Sequence, residues 1–311
     1  MRFAKLLLIA ALALLSVRTW ADTVSVVSPV DAPGANRYTD AAGINNRGEI
    51  VGSFADAESR LQGYVFRKGT FDPLDSPESN TVPLGINDRG DVVGFGVENG
   101  SEIHGLQWDK GGGEPTEIDA PESGLTGAPP AGITFFHGIN NRGQIVGHSR
   151  KDVHAPAQLF LWDAPEFSFF QIDGVLVVDR GRESLGINDR GQIVGTRQMG
   201  GINEGFLIDN GNITPIKIGV NGTYASGINN RGQIVGTYFD ADNRERGYLR
   251  NANGSFTTID APNSTGISAV RLNEHGDIVG RFSESDGQFH GFLLTQASSL
   301  IGLNAPGTLR H

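Results

Sequence analysis

The 311-residue chain contains no cysteine, so it has neither a disulfide framework nor a thiolate for metal binding or nucleophilic attack. Basic residues are scarce as well: 25 Lys and Arg stand against 35 Asp and Glu, for a formal net charge of −10. Phosphate backbones are held by clustered Lys and Arg, so a nucleic-acid partner is excluded. After the first 21 residues no stretch approaches the ~20 apolar residues that a membrane-spanning helix requires. Helical periodicity is missing, and so are Gly-x-Ser-x-Gly, His-Glu-x-x-His and the Ser-x-Asp-x-Gly-x-Thr-Trp box. Paired carboxylates for glycoside hydrolysis leave no such linear trace, because their spacing exists only in three dimensions.

What the chain does have is glycine, 44 residues of it, roughly twice the usual ~7%. With aliphatic and aromatic residues still plentiful, this reads as many tight turns and not as disorder. The N-terminus reads as an export signal. Arg2 and Lys5 precede the apolar run 6–15, and Thr19-Trp20-Ala21 offers a cleavage point near Ala21. Ten apolar residues are too few to anchor in a bilayer, and with no cysteine after them a lipidated N-terminus is not expected. The expected location is secreted or periplasmic.

One phrase recurs six times. It first reads Gly43-Ile44-Asn45-Asn46-Arg47-Gly48-Glu49-Ile50-Val51-Gly52, returns from Gly85, Gly138, Gly186 and Gly227, and appears degraded from Arg271. Its first asparagine falls at Asn45, Asn87, Asn140, Asn188, Asn229 and Asn273, at steps of 42, 53, 48, 41 and 44 residues. A Gly-aromatic-Leu phrase follows each copy, as in Gly205-Phe206-Leu207 and His290-Gly291-Phe292-Leu293. A third phrase closes the unit, as in Phe256-Thr257-Thr258-Ile259-Asp260-Ala261-Pro262. β-Branched pairs such as Ile50-Val51, and Asn-x-x-Gly turns in which glycine takes positive φ, make each unit four short strands, a to d. Four strands per ~45 residues is the blade of a propeller. The expectation is therefore an all-β, six-bladed β-propeller in one domain (residues 22–311), with repeats at about 41–77, 83–121, 136–174, 184–219, 225–262 and 269–306. A parallel β-helix is the rival, but it has no hairpin turns within a coil. The d-type phrase also stands at Val30-Asp31-Ala32-Pro33 and at Leu303-Asn304-Ala305-Pro306. Seven d-strands thus serve six a-b-c sets: one latches the ring and a spare remains at one terminus. The N-terminal copy, residues 23–33, is the expected latch.

The three phrases in this order, across residues 24–307, resemble the bacterial extracellular HAF-repeat family. Departures are Arg271-Leu272 in place of Gly-Ile, Ala157-Gln158 where His-Gly is expected, and Ile216-Lys217-Ile218 lacking Asp. The resemblance implies export and a propeller-like fold, and no settled chemistry.

Candidate sites fall on two faces. The a-b tips carry Arg47, Arg89, Arg142, Arg190 and Arg231, with His275 in the sixth, which could form a ring holding a carboxylate, sulfate or phosphate. The alternative is a solvated turn residue copied with the repeat. Asp31, Asp75, Asp119, Asp173 and Asp260 end d-strands, where turn capping before proline is favoured over metal binding. Asp56 and Glu58, Asp240 and Asp242, and Glu284 and Asp286 cluster in b-c connections. Asp240-Ala241-Asp242-Asn243 begins like a calcium loop but lacks the sixth-place glycine and the closing glutamate. No metal site is assigned and calcium is the weak option. His137, His148 and His154 lack metal-motif spacing, and the repeated position of His104 and His290 marks a structural role.

Asymmetry points elsewhere. Insertions at 122–136, 149–158 and 175–184 lie on d-a and b-c connections, opposite the a-b tips. They would gather Phe135, Phe136, His154, Asp179, Arg180 and Glu183 into one ligand-binding sector. The functional expectation is an exported non-catalytic module that binds an envelope or extracellular protein or a glycan, with no catalytic residue assigned. The alternative is an extracellular hydrolase or lyase acting on a carbohydrate or lactone-like substrate through carboxylates in the inserted loops.

Overall fold

The computed structural model describes residues 23–25, 28–77, 80–98, 102–110, 112–121, 132–152, 155–172 and 185–295. The expected signal (1–21), the C-terminal d-type phrase (303–306), His154, Asp173, Asp179, Arg180 and Glu183 lie outside them. All regular structure in the described residues is β. No helix among them is long and apolar enough to cross a membrane.

Two short strands come first, β1 (Thr23–Ser25) and β2 (Ser28–Val30). Blade 1 follows as β3 (Thr39–Ile44), β4 (Ile50–Ala55), β5 (Leu61–Arg67) and β6 (Thr70–Pro73). Blade 2 is β7 (Asn80–Ile86), β8 (Val92–Glu98), β9 (Glu102–Trp108) and β10 (Thr116–Glu117). Blade 3 is β11 (Ile133–Ile139), β12 (Ile145–Arg150), β13 (Gln158–Asp163) and β14 (Glu166–Phe170). Blade 4 is β15 (Gly186–Ile187), β16 (Ile193–Met199), β17 (Ile202–Asp209) and β18 (Asn212–Ile216). Blade 5 is β19 (Thr223–Ile228), β20 (Ile234–Phe239), β21 (Glu245–Arg250) and β22 (Phe256–Asp260). Blade 6 holds β23 (Gly266–Leu272), β24 (Ile278–Ser283) and β25 (Phe289–Leu294). Each blade is an antiparallel meander, and the six form the expected six-bladed β-propeller.

The N-terminal strand completes blade 6. β2 pairs antiparallel with β25, Val30 opposite Gly291, and supplies the missing d-strand. Val30 is buried, and an Asp31 carboxylate oxygen lies 2.9 Å from His290 Nδ1, joining residues 259 apart in sequence. β1 then adds a parallel fifth strand to blade 5, Thr23 opposite Thr258.

The core explains the repeated Ile-Val pair. Successive strand residues point to opposite faces, and a propeller blade is covered on both. Ile50 packs with Val30, Ala41 and Val279 toward blade 6, whereas Val51 packs with Leu74, Ile86 and Trp108 toward blade 2. Ile145 and Val146 divide in the same way between blades 2 and 4, and Ile234 and Val235 between blades 4 and 6. All six side chains are fully buried, each worth ~1.5–3 kcal/mol of transfer.

Candidate functional site at the propeller axis and the loop face

Each a-b turn is closed by its own asparagine. Asn188 Oδ1 accepts from Arg190 N (3.0 Å) and Gln192 N (3.1 Å), and its Nδ2 donates to Gln192 Oε1 (2.7 Å). Gly191 completes the turn at φ 78°, a conformation that L side chains resist. The same Nδ2 also reaches the next blade. Asn45 donates to Asn87 O, Asn87 to Asn140 O, Asn140 to Asn188 O, Asn188 to Asn229 O, Asn229 to Asn273 O, and Asn273 back to Asn45 O. Six buried amides thus form a closed hydrogen-bonded ring around the axis.

A second ring stands on the following residue. Asn46 N donates to Asp88 Oδ1, Asp88 N to Asn141 Oδ1, Asn141 N to Asp189 Oδ1, Asp189 N to Asn230 Oδ1, Asn230 N to Glu274 Oε1, and Glu274 N to Asn46 Oδ1. Amide and carboxylate alternate around it. Asp88 Oδ2 therefore accepts from the side-chain amides of both Asn46 (2.7 Å) and Asn141 (2.9 Å), and Asp189 Oδ2 from those of Asn141 and Asn230. Acceptors meet donors at each of these junctions, and charge-assisted bonds offset the crowding of like charges.

These rings line the axial mouth, a depression of ≈70 Å³. Arg47, Arg89, Arg142, Arg190 and Arg231 are exposed and stand outside that lining. Arg47 pairs with Glu49 and covers Gly90 of the next turn; Arg89 pairs with Asp91 at 2.8 Å and covers Gly143. The first two turn residues face the axis, so the third points away from it.

Below the mouth the a-strands approach one another through glycine. A Cβ on Gly85 would lie 3.2 Å from Gly138 Cα, and one on Gly186 would lie 3.0 Å from Gly227 Cα and 2.6 Å from Ser226 O. Most a-strands carry a bulge just before this position, at Ala42, Leu84, His137, Ser226 and Val270. Where the sixth copy has Arg271, its guanidinium crosses the channel. Nη2 donates to His137 O (2.7 Å) and Leu185 O (3.0 Å), and Nη1 to Ser226 O (2.6 Å) and Val270 O (3.0 Å). Burial lowers its pKa to about 10, opposed by Asp40, so it stays charged at neutral pH. Only ≈60 Å³ of cavity remains between Arg271 and the isoleucine layer beneath the asparagines. By sequence alone Arg271 reads as a decayed motif. A lone charge at a position otherwise held by glycine is the signal that could have found it.

On the far side of Arg271 the blades diverge. Asp40, whose pKa burial raises, faces Arg281 at 3.8 Å, and Arg281 donates to the Tyr38 hydroxyl at 3.0 Å. In blade 3, His137 Nε2 and His148 Nδ1 share a hydrogen bond of 2.8 Å between nearly parallel rings, both buried. Among the described residues, His137 Nδ1 and His148 Nε2 have no hydrogen-bond partner. Burial holds both imidazoles neutral: His137 is depressed to about 3, further aided by Arg271, and His148 well below its usual range.

Two expected loop residues belong to this interior. Phe135 and Phe136 lie within β11, at 6% and 0% exposure, and do not stand on the inserted loop. Phe135 stacks on His148 at 4.6 Å and meets Phe95 edge-on, and Phe136 packs against Phe160 and Trp162. The insertion thus ends before Ile133, because strand pairing to β12 and burial between blades claim the residues that follow. The other residues proposed for that sector, His154, Asp179, Arg180 and Glu183, lie outside the described residues.

Several of the remaining acidic groups have internal partners. His104 bonds Asp119, and Arg246 bonds Asp260, as His290 bonds Asp31. The repeated His-Gly and Asp-Ala-Pro phrases thus meet across strands c and d. Asp240 Oδ1 caps the backbone of Asp242 and Arg244 while Oδ2 holds Arg246, so its carboxylate serves a turn. Asp56 does the same for Glu58 and Arg60. Among the described residues no group of three or more His, Asp or Glu has metal-binding geometry.

The b-c and d-a connections form the other face. Five large apolar residues are exposed among the described residues, and four belong to this face: Met199, Ile202 and Phe289 at b-c turns and Val220 in the connection from blade 4 to blade 5.

No protein-family model matches the sequence, and no curated relative matches it. Similarity appears in three dimensions. A putative TolB from Agrobacterium tumefaciens superposes with a TM-score of 0.53 at 14% identity, over 83% of this chain and 90% of that one. The β-propeller domain of the Trilobed protease from Pyrococcus furiosus, described as an open velcro, gives 0.52 at 13% identity, over 80% and 79%. A point mutant of the Aleuria aurantia lectin, in complex with Fucalpha1-6GlcNAc, gives 0.50 at 11% identity, over 85% and 94%. The fold they share with this chain is the β-propeller. Identities this low carry the fold alone.

Proposed function

We propose that this chain is an exported, non-catalytic binding module whose partner, an envelope or extracellular protein or a glycan, docks on the face formed by the b-c and d-a connections. The observation that carries this reading is the contrast between the two ends of the axis. At the a-b end the amides and carboxylates that line the mouth are bonded across to the neighbouring blade, and Arg271 occupies the channel behind them. The two axial cavities, ≈70 and ≈60 Å³, suit a few waters and not a substrate. The opposite face carries four of the five large exposed apolar side chains among the described residues, and variable connections on a rigid scaffold are where binding residues concentrate. A leader-like N-terminus and the HAF-like repeats support export, and the lectin among the structural neighbours supports a glycan as one class of partner.

The test is capture from envelope extract by immobilised protein. Met199→Ser/Phe289→Ser should lose the captured partner while melting as the parent does, and Arg47→Ser/Arg231→Ser should retain it. Loss in the arginine variant with retention in the apolar one would move the site to the a-b face. Shortening the insertion should be confined to residues 122–131, since a cut to 136 would remove half of β11.

A further inference from the structure

Between blades 4 and 5 the loop face holds a groove of ≈150 Å³, with Met199, Ile202 and Val220 on its wall. These three are 46, 52 and 72% exposed, an unusual concentration in a chain whose other aliphatic residues are mostly buried between blades. The b-c hairpin of blade 4 turns through Gly200-Gly201, both at positive φ, and so carries Met199 and Ile202 at its tip. Gly219 and Gly222, at φ 68° and 122°, loop the d-a connection so that Val220 stands beside them.

Polar groups make up the rest of the lining. Glu204 is 5% exposed; its Oε1 takes Arg197 at 2.7 Å and its Oε2 takes Lys217 Nζ. Burial alone would raise the Glu204 carboxyl, but bonds from both cations hold it below its usual range, so it is ionised. One carboxylate against two cations leaves one positive charge at the groove, in a chain with a formal net charge of −10. The Lys217 side chain is 68% exposed and can turn to a ligand without leaving Arg197 and Glu204 unpaired. Asn203, also in the lining, donates through Nδ2 to the Tyr224 hydroxyl.

We propose that this groove is a subsite for a single acidic sugar residue, a hexuronic acid in a glycan chain, which gives the glycan arm of the binding function its ligand class. Two complementary features converge on that class. The aliphatic wall suits the C–H face of a pyranose ring. The uncompensated charge at Lys217 suits a carboxylate. The volume is below the ~300–1,000 Å³ of sites for larger ligands, consistent with one ring and not several.

The inference rests on the binding reading above, and its test separates the two. Saturation-transfer NMR and calorimetric titration of the whole protein would use D-glucuronate and D-glucose as probes. D-Glucuronate should receive saturation at its ring methine protons and bind at least tenfold more tightly than D-glucose. Lys217→Gln should remove that preference, and Ile202→Ser/Val220→Ser should abolish binding of both, with unchanged melting in each variant. Absence of transfer to D-glucuronate, equal affinity for the two sugars, or undiminished binding in Ile202→Ser/Val220→Ser would each overturn it. If the sugars fail while Met199→Ser/Phe289→Ser still loses its envelope partner, the acidic-sugar subsite falls and the binding module stands.

Discussion

Asn188 has two tasks that single substitutions can separate. Its Oδ1 closes its own turn, and its Nδ2 bonds the buried carbonyl of Asn229 on the next blade. Asn188→Ala deletes both, strips the Arg190 and Gln192 amides of their acceptor and leaves Asn229 O with only its turn bond from Gly232 N, so stability should fall by about 2–4 kcal/mol, read from the denaturant midpoint. Asn188→Asp keeps the turn acceptor but faces Asn229 O with a carboxylate oxygen. An equal cost for Asp and Ala would assign the loss to the inter-blade bond, and a near-neutral Asp would assign it to the turn. Arg271→Gly restores the repeat residue, yet it should destabilise by about 3 kcal/mol or more, because three buried carbonyls and the half-buried one of Val270 lose a charged donor. A variant as stable as the parent would show that water replaces the guanidinium at no cost. The histidine pair supplies a pH dependence. Above pH ~6.5 both states are neutral and the pair adds no slope. As pH falls below that, the unfolded chain takes up protons that folded His137 refuses until about pH 3 and that folded His148, also held well below its usual range by burial, refuses too, so stability declines by up to ~1.4 kcal/mol per pH unit for each ring. His137→Leu/His148→Phe gives blade 3 the residues Leu84 and Phe95 that blade 2 carries at the same places, and should flatten urea midpoints between pH 6.5 and 4. An unchanged slope would locate the titration elsewhere.

At the scale of elements, β2 decides closure. It is made first and placed last, because its partner β25 follows it by about 260 residues. Without it β25 is an unpaired edge, and Val30, Ala32 and the Asp31–His290 contact are lost. Deleting residues 22–34 should lower the melting temperature by roughly 10 °C or more, at ~2–4 °C per kcal/mol for a domain of this size. A truncated chain melting with the parent would assign closure to another segment. The latch was legible in the sequence because Val30-Asp31-Ala32-Pro33 repeats the d-strand phrase in register with the first a-strand. That β1 would add a parallel strand to blade 5 was not legible, since three residues specify no partner. The end of the insertion near residue 132 was not legible either. Phe135-Phe136 reads equally well as an exposed aromatic loop or a buried strand until β12 and blade 2 are beside it.

For the whole molecule, architecture followed from the sequence because a repeat states its own period and a short-range turn states its own chemistry. Asn-x-x-Gly demands a hairpin wherever it stands, and the Ile-Val pair demands two covered faces. Six copies therefore imply a closed ring of blades. Location within a blade was readable for the same reason: it is set by neighbours a few residues away. What lies between blades was decided only by closure, which brings together residues 40 to 260 apart in sequence. The asparagine ring, the alternating amide–carboxylate ring, the crossing of Arg271 to three other blades and the meeting of Asp40 with Arg281 are all of this kind. A sequence states which side chains exist and their local bonds. Which charge meets which carbonyl across an axis depends on the ring having closed.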